Sequence, residues 1–440
     1  MTSIRPKERD AIIQSLRAGV VPRVGQHLIQ VGRVKEVEAL IKDIERIADS
    51  GASIRFVIGE YGSGKTFFLN LIRAIAMEKR LVTANADLAP DRRLQATGGQ
   101  ARALYAELMR NISTRTKPDG GALASIVERF ISETLKEACA KNVNPETLIH
   151  ERLAKLSEMV GGYDFTNVIA AYWKGHDTGN EQLKSDAIRW LRGEFSTKTE
   201  ARAALGVRVI IDDASFYDYL KLMALFIKLA GYDGFLICLD ELVNLFKLSN
   251  TQARSANYEQ ILRILNDSLQ GIASGLGILL GGTPEFLMDP RRGLYSYPAL
   301  QSRLAENTFA VNGLVDLAGP VLRLSNLTPE DFFILIGKIR HVFAFGDPAA
   351  YLLPDDGLKA FMEHCSKRIG DAYFRTPRTT ITAFVNLLSV LEQNKDVKWQ
   401  DLIGTVEVKK ESNPDLEPLA EEVTGTAEKG DTENLASFKL

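Results

Sequence analysis

The sequence predicts an α/β fold in which a parallel sheet carries a large helical insertion and is followed by a C-terminal helical domain. Three observations lead to this prediction. Short apolar runs that end in glycine or acidic residues are typical of buried parallel strands. Helical periodicity replaces that pattern over about residues 100–205. Amphipathic helices alone then fill residues 328–403.

The composition is that of a globular protein without a strong overall charge. The chain has 440 residues, of which 45% are hydrophobic, and its formal net charge is −2. This length gives room for two or three domains with real cores. A global basic field, which is typical of nucleic-acid-binding domains, is excluded, although local basic surfaces remain compatible with the composition.

Neither the cysteines nor the apolar runs indicate secretion or a membrane. Cys139, Cys238 and Cys365 lie far apart without metal-ligand spacing, so we expect neither a disulfide framework nor a zinc site. The charged N-terminus is not followed by an apolar segment, and no apolar run reaches the length of a membrane span. We therefore expect a cytoplasmic protein without a membrane partner.

Residues 1–34 form an N-terminal segment ahead of the first strand. A short helix is expected over residues 8–17, and glycine and proline break it at residues 19–23. The sequence Val31-Gly32-Arg33 then leads into a second helix, which we expect over residues 35–48.

The first strand, residues 54–58, leads directly into a glycine-rich loop and a helix. Glycines let a loop wrap a polyphosphate so closely that backbone N–H groups point at its oxygens. This strand, loop and helix form the P-loop pattern in its structural context, which predicts binding of ATP with Mg²⁺. The loop residues that we expect to bind the nucleotide are Gly59, Glu60, Tyr61, Gly62, Ser63, Gly64, Lys65 and Thr66.

Two residues of the loop have specific expected roles. Lys65 would reach the β and γ phosphates as a point charge, and Thr66 would place its hydroxyl on Mg²⁺. The helix that begins there adds the positive end of its dipole.

A second strand is expected over residues 81–87, and the sheet pattern then stops for a long stretch. Amphipathic helices follow, with one apolar stripe containing Leu104 and Leu108 and another containing Phe165 and Ile169. Such stripes are more typical of a core than of a ligand site. We interpret residues 100–205 as a helical insertion.

Two stretches compete as the acidic strand that completes the nucleotide site. Residues 207–213 end in two aspartates but place Arg208 within a strand that should be buried on both faces. Residues 235–241 form an unbroken apolar run that ends in Asp240 and Glu241, and we favour them. Asp240 would orient Mg²⁺ and its waters, and Glu241 would polarise the attacking water.

A further strand over residues 276–280 leads to Thr283. This residue sits where a polar side chain could hold the attacking water or the γ-phosphate. Arg303 follows on an amphipathic segment, where the residues alone favour an exposed charge without a special role.

The last strand is expected over residues 321–324, which closes an α/β core spanning residues 35–327. Thr328, Pro329 and Glu330 then mark a helix start. The helices over residues 328–403 form a small C-terminal domain, and one of them opens near Arg378. Residues 404–440 are rich in charged and small residues, which predicts a disordered acidic tail.

The order of these features resembles an AAA+ ATPase. The resemblance implies that Val31 and Gly32 lie near the adenine and that Thr283 is the sensor-1 residue. It also implies that Arg303 is the finger presented to a neighbouring subunit, with Arg291 and Arg292 as alternatives. Arg378 would be the sensor-2 residue on the helical lid. The 174 positions (240 minus 66) between Thr66 and Asp240 exceed a minimal AAA+ core and leave the assembly of the subunits open.

More narrowly, residues 19–33, 86–94 and 113–121 resemble the BREX ATP-binding proteins of the BrxC/BrxD type. The similarity covers most of residues 8–400, and the runs around Arg92 and Pro118 are its distinctive parts. The resemblance implies a role in bacterial anti-phage defence beside helicases, methyltransferases or other effectors.

The sequence therefore predicts an oligomeric AAA+ ATPase that binds and hydrolyses ATP with Mg²⁺. The expected partners are further copies of the chain, DNA, and a helicase or another protein of the defence system. The alternative is a nucleotide-gated scaffold or signalling switch whose assembly state is set by ATP.

Overall fold

The computed structural model describes residues 4–310 and 314–408, and its centre is a five-stranded sheet with the order β2-β3-β4-β1-β5. All neighbouring strands pair in parallel. The strand bounds agree closely with the expected ones: β1 Ser53–Ile58, β2 Val82–Asp87, β3 Phe235–Asp240, β4 Leu276–Gly282 and β5 Val321–Arg323. Because β4 lies between β1 and β3, the strand before the glycine-rich loop and the acidic strand are next-nearest neighbours.

The helices divide into those around the sheet and those that follow it. The helices as far as β5 are α1 Pro6–Arg17, α2 Gln26–Ile29, α3 Val34–Ala48, α4 Lys65–Glu78, α5 Gln100–Arg110, α6 Leu123–Lys141, α7 Pro145–Ser157, α8 Gly162–Thr178, α9 Glu181–Leu191, α10 Lys198–Leu205, α11 Phe216–Leu229, α12 Val243–Phe246, α13 Thr251–Leu269, α14 Pro284–Met288 and α15 Pro298–Leu304. After β5 come α16 Pro329–Phe343, α17 Asp355–Ile369, α18 Ala372–Arg375, α19 Pro377–Gln393 and α20 Trp399–Ile403. Short 3₁₀ turns occupy Leu294–Ser296 and Pro348–Ala350.

The two faces of the sheet belong to different apolar clusters. Ile54 and Phe56 of β1 pack into a large cluster with helices from the stretch α5–α11, whereas Val57 packs with α3 and α4 on the other face. This alternation follows from the two-residue period of a strand. The helical stretch continues through α11 to Leu229, beyond the expected limit near residue 205. It shares its core with the sheet.

Aromatic rings fill the centre of that shared core. The ring of Phe226 lies 5.2 Å from that of Phe130 and 5.6 Å from that of Phe165, measured between centroids. Phe165 also meets Trp190 edge-on at 6.5 Å. These contacts agree with the expectation that the aromatic stripes belong to a core.

The N-terminal helices pack with the C-terminal ones. Ile12 and Ile13 of α1 share an apolar cluster with Phe332 of α16 and Phe384 of α19. The start of α16 has the expected cap, since Thr328 Oγ1 accepts a hydrogen bond from the backbone N–H of Asp331 at 3.1 Å. The chain thus leaves this helical group before the sheet and returns to it afterwards.

The rejected acidic stretch, residues 207–213, is irregular and not a strand. Its Asp213 instead caps α5, because the carboxylate accepts hydrogen bonds from the backbone N–H groups of Gly99 at 2.7 Å and Arg102 at 2.8 Å. The expected acidic tail lies almost entirely outside the described residues. Within the described ranges, no helix is both long and apolar enough to cross a membrane.

Candidate functional site

The glycine-rich loop adopts a conformation that depends on its glycines. Gly62 and Gly64 have φ angles of +77° and +81°, which side chains rarely allow. A Cβ on Gly59 would lie 2.5 Å from Ser63 Oγ, so this approach also excludes a larger residue. Lys65 begins α4, and its Nζ donates hydrogen bonds to the carbonyl oxygens of Gly59 and Glu60, both at 3.0 Å. The Lys65 amine therefore lies over the loop, at the place where the loop would bind a phosphate.

The acidic strand meets this loop at the carboxyl end of the sheet. Thr66 Oγ1 donates a hydrogen bond to Asp240 Oδ2 at 2.6 Å. The other carboxylate oxygen, Oδ1, accepts the backbone N–H of Glu241 at 2.9 Å. Gly281 of β4 makes room for this carboxylate, because a Cβ there would lie 2.4 Å from Asp240 Oδ1. A hydroxyl and a carboxylate placed together in this way fit a hard divalent cation such as Mg²⁺.

Glu241 and Thr283 continue the same edge of the sheet. Glu241 has a φ of +60°, a left-handed conformation that is uncommon for a residue other than glycine and clusters at functional sites. Thr283 is buried at the end of β4, and its Oγ1 accepts the backbone N–H of Phe286 at 3.3 Å. Both residues line the cavity that contains the loop.

That cavity has a volume of about 950 Å³, enough for a nucleotide. At one end lie Lys65, Thr66, Asp240, Glu241 and Thr283, and we call this the phosphate end. The other end is walled by the N-terminal segment and the C-terminal helices, and we call it the base end. Its lining includes Leu16, Val21, Val31, Leu335, Ile339, Arg378 and Ile381.

The base end is tied to the loop by hydrogen bonds. The Arg33 guanidinium donates to the carbonyl oxygen of Ser63 and, at 3.3 Å, to that of Ser325. Burial lowers the pKa of Arg33, and the nearby carboxylates of Glu36 and Asp331 partly offset that effect. Arg33 was part of the sequence resemblance, but no role had been assigned to it.

Two of the residues predicted for the base end, Val31 and Arg378, line the cavity. The third, Gly32, has a φ of +61° and lies beside the carboxylate of Asp331. Arg378 stands at the start of α19 and packs against the turn after α1, where a Cβ on Gly19 would lie 3.5 Å from its Cγ and Cδ. Glu60 Oε2 accepts a hydrogen bond from Asn326 Nδ2 at 2.7 Å.

The three arginines considered for the finger lie away from the cavity lining. Arg303 is exposed on α15 and donates to the carbonyl oxygen of Ala299 at 2.8 Å. Arg292 donates to the carbonyl oxygen of Leu248 at 3.1 Å, and its guanidinium lies 5.3 Å from the centre of the Phe246 ring. The backbone N–H of Arg291 binds the Asp289 carboxylate at 2.7 Å.

Sequence reasoning missed two charged residues at the phosphate end. Asp87 ends β2 and pairs in register with Asp240, so both side chains leave the same face of the sheet. Burial raises the pKa of Asp87, and the nearby Asp240 adds to this effect. Arg92, on the loop after β2, lines the same cavity. The polar end of the second strand and the resemblance over residues 86–94 were sequence signals for these residues, but neither assigned them a role.

A parallel sheet with this loop and acidic strand at its carboxyl edge is consistent with the P-loop class of nucleotide-binding proteins. The family described as BREX system ATP-binding protein BrxC/D matches residues 4–407 of the chain. The chain therefore belongs to this family, which confirms the narrower resemblance inferred from its sequence. No curated protein matches the chain at a significant level.

Proposed function

We propose that the protein is an AAA+ ATPase that binds ATP with Mg²⁺ in this cavity and hydrolyses it. The observation that carries the proposal is the 2.6 Å hydrogen bond between Thr66 Oγ1 and Asp240 Oδ2. It joins the phosphate-binding loop to an acidic strand 174 positions (240 minus 66) further along the chain. A site for binding alone would not need a second acid immediately after Asp240.

Each residue at the phosphate end has a distinct part in this proposal. Thr66 and Asp240 would hold Mg²⁺, and the bound ion would neutralise part of the negative charge of the phosphates. Lys65 exchanges the carbonyl oxygens of Gly59 and Glu60 for phosphate oxygens. Glu241 orients the attacking water and accepts its proton, while the Thr283 hydroxyl keeps that water in line with the phosphate.

Assembly of several subunits is part of the same proposal. Arg303 is exposed on α15, where a neighbouring subunit can be reached, and we assign it as the finger ahead of Arg291 and Arg292. Arg378 would respond to the nucleotide from the helical group, which then acts as a lid. The energy of hydrolysis would be used on DNA or on a DNA-processing partner of the BREX system.

The test measures ATP turnover and ATP binding with Mg²⁺ for two variants. Lys65→Ala should lose both, and Glu241→Gln should lose at least about 100-fold in turnover while still binding ATP, because the phosphate contacts survive. The matched controls are Lys136→Ala and Glu133→Gln, which change an exposed ion pair on α6. Unchanged turnover in both site variants would refute the hydrolysis.

The trans role of Arg303 needs a separate experiment. Arg303→Ala and Lys65→Ala should each be inactive alone, and mixing the two proteins should restore part of the turnover. Each mixed interface can then combine an intact loop with an intact arginine. Persistent inactivity of the mixture, with intact assembly by light scattering, would contradict the assignment.

A further inference from the structure

The loop that follows β2 is fixed to the segment that carries the acidic pair. The backbone N–H of Leu88 donates to the carbonyl oxygen of Asp240 at 3.0 Å, and Asn244 Nδ2 donates to the carbonyl oxygen of Leu88 at 2.7 Å. The backbone N–H of Asn244 in turn binds the carbonyl oxygen of Glu241 at 3.0 Å. The position of this loop is therefore coupled to that of Glu241.

Arg92 stands on a tight turn within that loop. The backbones of Ala89 and Arg92 exchange two hydrogen bonds, both of 3.0 Å. Further along, Asn257 of α13 binds both backbone polar groups of Gln95, at 2.9 Å and 3.0 Å. The buried side chain of Leu94 lies between these two anchors. Arg92 is thus presented by a backbone that is held on both sides.

The Arg92 guanidinium has weak partners. It faces Asp91 and Glu107 at 3.7 Å each, beyond the 2.7–2.9 Å that is usual for a charge-assisted hydrogen bond. Its Nε is buried and makes no hydrogen bond to any of the described residues. The guanidinium is thus held by long contacts, which an anion that enters the cavity can replace with shorter ones.

The position of Arg92 in the cavity identifies which part of a nucleotide it would meet. Arg92 lines the cavity together with Asp87 and Glu241, and Asp87 is the register partner of Asp240. Glu107, the partner of Arg92, is linked through Asn111 to the backbone of Asn85 on β2, so Arg92 lies near the carboxyl end of β2, at the phosphate end. An arginine here would approach the outermost phosphate, next to the residues that act on it.

We propose that Arg92 contacts the terminal phosphate of ATP bound in the same subunit. This inference rests on the proposed function. It adds an arginine from the same subunit as the nucleotide to Arg303, which is assigned to the neighbouring subunit. On binding, the guanidinium exchanges its long contacts with Asp91 and Glu107 for short hydrogen bonds to phosphate oxygens.

The test compares the affinities for fluorescently labelled ATP and ADP, each with Mg²⁺. Arg92→Ala should weaken ATP binding about tenfold and leave ADP binding within about twofold, because only ATP carries the terminal phosphate. Arg92→Lys should recover part of the loss. The control, Arg115→Ala, removes an exposed arginine paired with Glu78 and should change neither affinity. Equal losses for ATP and ADP, or no loss, would overturn the proposal.

If Arg92→Ala does not fold, a second variant tests the contact between Arg92 and the terminal phosphate. Glu107→Gln removes the charge that competes for the guanidinium and should strengthen ATP binding relative to ADP binding. An unchanged or lowered ratio would count against Arg92. If the wild-type protein binds neither nucleotide, the proposed function itself fails. If it prefers ATP and Arg92→Ala keeps that preference, only this inference fails.

Mixing experiments separate action in cis from action in trans. Arg92→Ala mixed with Lys65→Ala should turn over ATP no faster than the same amount of Arg92→Ala alone, because no subunit in the mixture has both groups intact. Turnover above that level would show that Arg92 serves the nucleotide of a neighbour, and the proposal would be wrong.

Discussion

The two ends of the cavity are built in different ways. The phosphate end is formed by the carboxyl edges of β1, β3 and β4, whose backbones are fixed by the sheet. The base end is formed by α1, the segment after it and the C-terminal helices, which share an apolar cluster of their own. One end is therefore set by strand pairing, whereas the other is set by packing between helices that are distant in the chain.

Contacts that bridge the two ends involve the glycine-rich loop and the start of α4, where Phe67 packs against the apolar cluster of the helical group. Arg33 reaches the carbonyl oxygen of Ser63, and Asn326 reaches the Glu60 carboxylate. Gly62 lies so close to Thr376 that an added Cβ would be 2.9 Å from Thr376 Cγ2. The loop is therefore in contact with both the sheet and the helical group.

The largest expected effect comes from breaking the base end alone. Ile12 of α1 is fully buried against the C-terminal helices, and Ile12→Ala should lower the free energy of unfolding by about 3 kcal/mol. ATP affinity should fall as well, because α1 helps to wall the cavity. Denaturant unfolding and nucleotide titration measure both quantities.

The control for this change is Ile334→Ala. Ile334 lies on α16 in the same helical group but is 50% exposed, so its truncation should cost less than about 1 kcal/mol. Similar losses for the two variants would mean that α1 does not contribute to the base end as described.

Gly281→Ala should damage the phosphate end without disturbing the base end. The new Cβ would lie 2.4 Å from Asp240 Oδ1, which forces the carboxylate away from Thr66. We expect ATP turnover to fall at least about tenfold. Gly337→Ala adds the same atom into open space on α16 and serves as the control. Turnover within twofold of wild type would show that the Asp240 position is not critical.

Gly62→Ala tests the contact between the ends. The φ of +77° alone should cost about 1 kcal/mol for an alanine, and the approach to Thr376 adds to it. Gly206→Ala isolates the backbone cost, because Gly206 has a φ of +71° and no atom within 4 Å of its added Cβ. Thermal unfolding should therefore shift more for Gly62→Ala. Equal shifts would argue against a tight contact between loop and helical group.

The smallest expected effect concerns Asp87. Its pKa is raised in the folded protein by burial and by Asp240, so the unfolded chain ionises first as the pH rises. The ionised carboxylate therefore destabilises the fold above the unfolded pKa of about 3.9, and not below it. Because Asp87 is nevertheless exposed, solvent screens the interaction, and Asp87→Asn should raise the unfolding free energy at pH 7 only slightly, with no gain near pH 3.

Thermal unfolding at the two pH values measures this gain. Asp177→Asn, which removes an exposed carboxylate of α8, is the matched control. A gain that persists near pH 3 would mean that amide packing, and not charge, is responsible.

Sequence reasoning was most successful where local pattern is enough. The five strands were predicted within a few residues, because buried parallel strands are continuous apolar runs with polar ends. The loop residues were recognisable because glycine, lysine and threonine occur there at a fixed spacing. Of the two stretches considered for the acidic strand, the preferred one forms β3, whereas residues 207–213 are irregular.

An arginine does not by itself exclude a buried strand. Residues 207–213 were disfavoured because Arg208 is unsuited to a buried strand, yet β1 itself carries the buried Arg55. Arg55 is accommodated because its guanidinium binds both carboxylate oxygens of Asp43 on α3, at 2.6 Å and 3.1 Å. An ion pair between a strand and a separate helix cannot be recognised from the local sequence pattern of either element.

The strand, loop and helix around Lys65 and the acidic end of β3 were predictable from the sequence, because glycine positions and apolar runs are properties of neighbouring residues. Only the tertiary structure placed β4 between β1 and β3, brought Asp240 to Thr66, and packed α1 against α16 and α19. It also brought Arg92 into the cavity lining. These arrangements depend on strand order and on packing between segments that are far apart in the sequence. Such contacts produce no pattern of fixed spacing that could be recognised in the sequence.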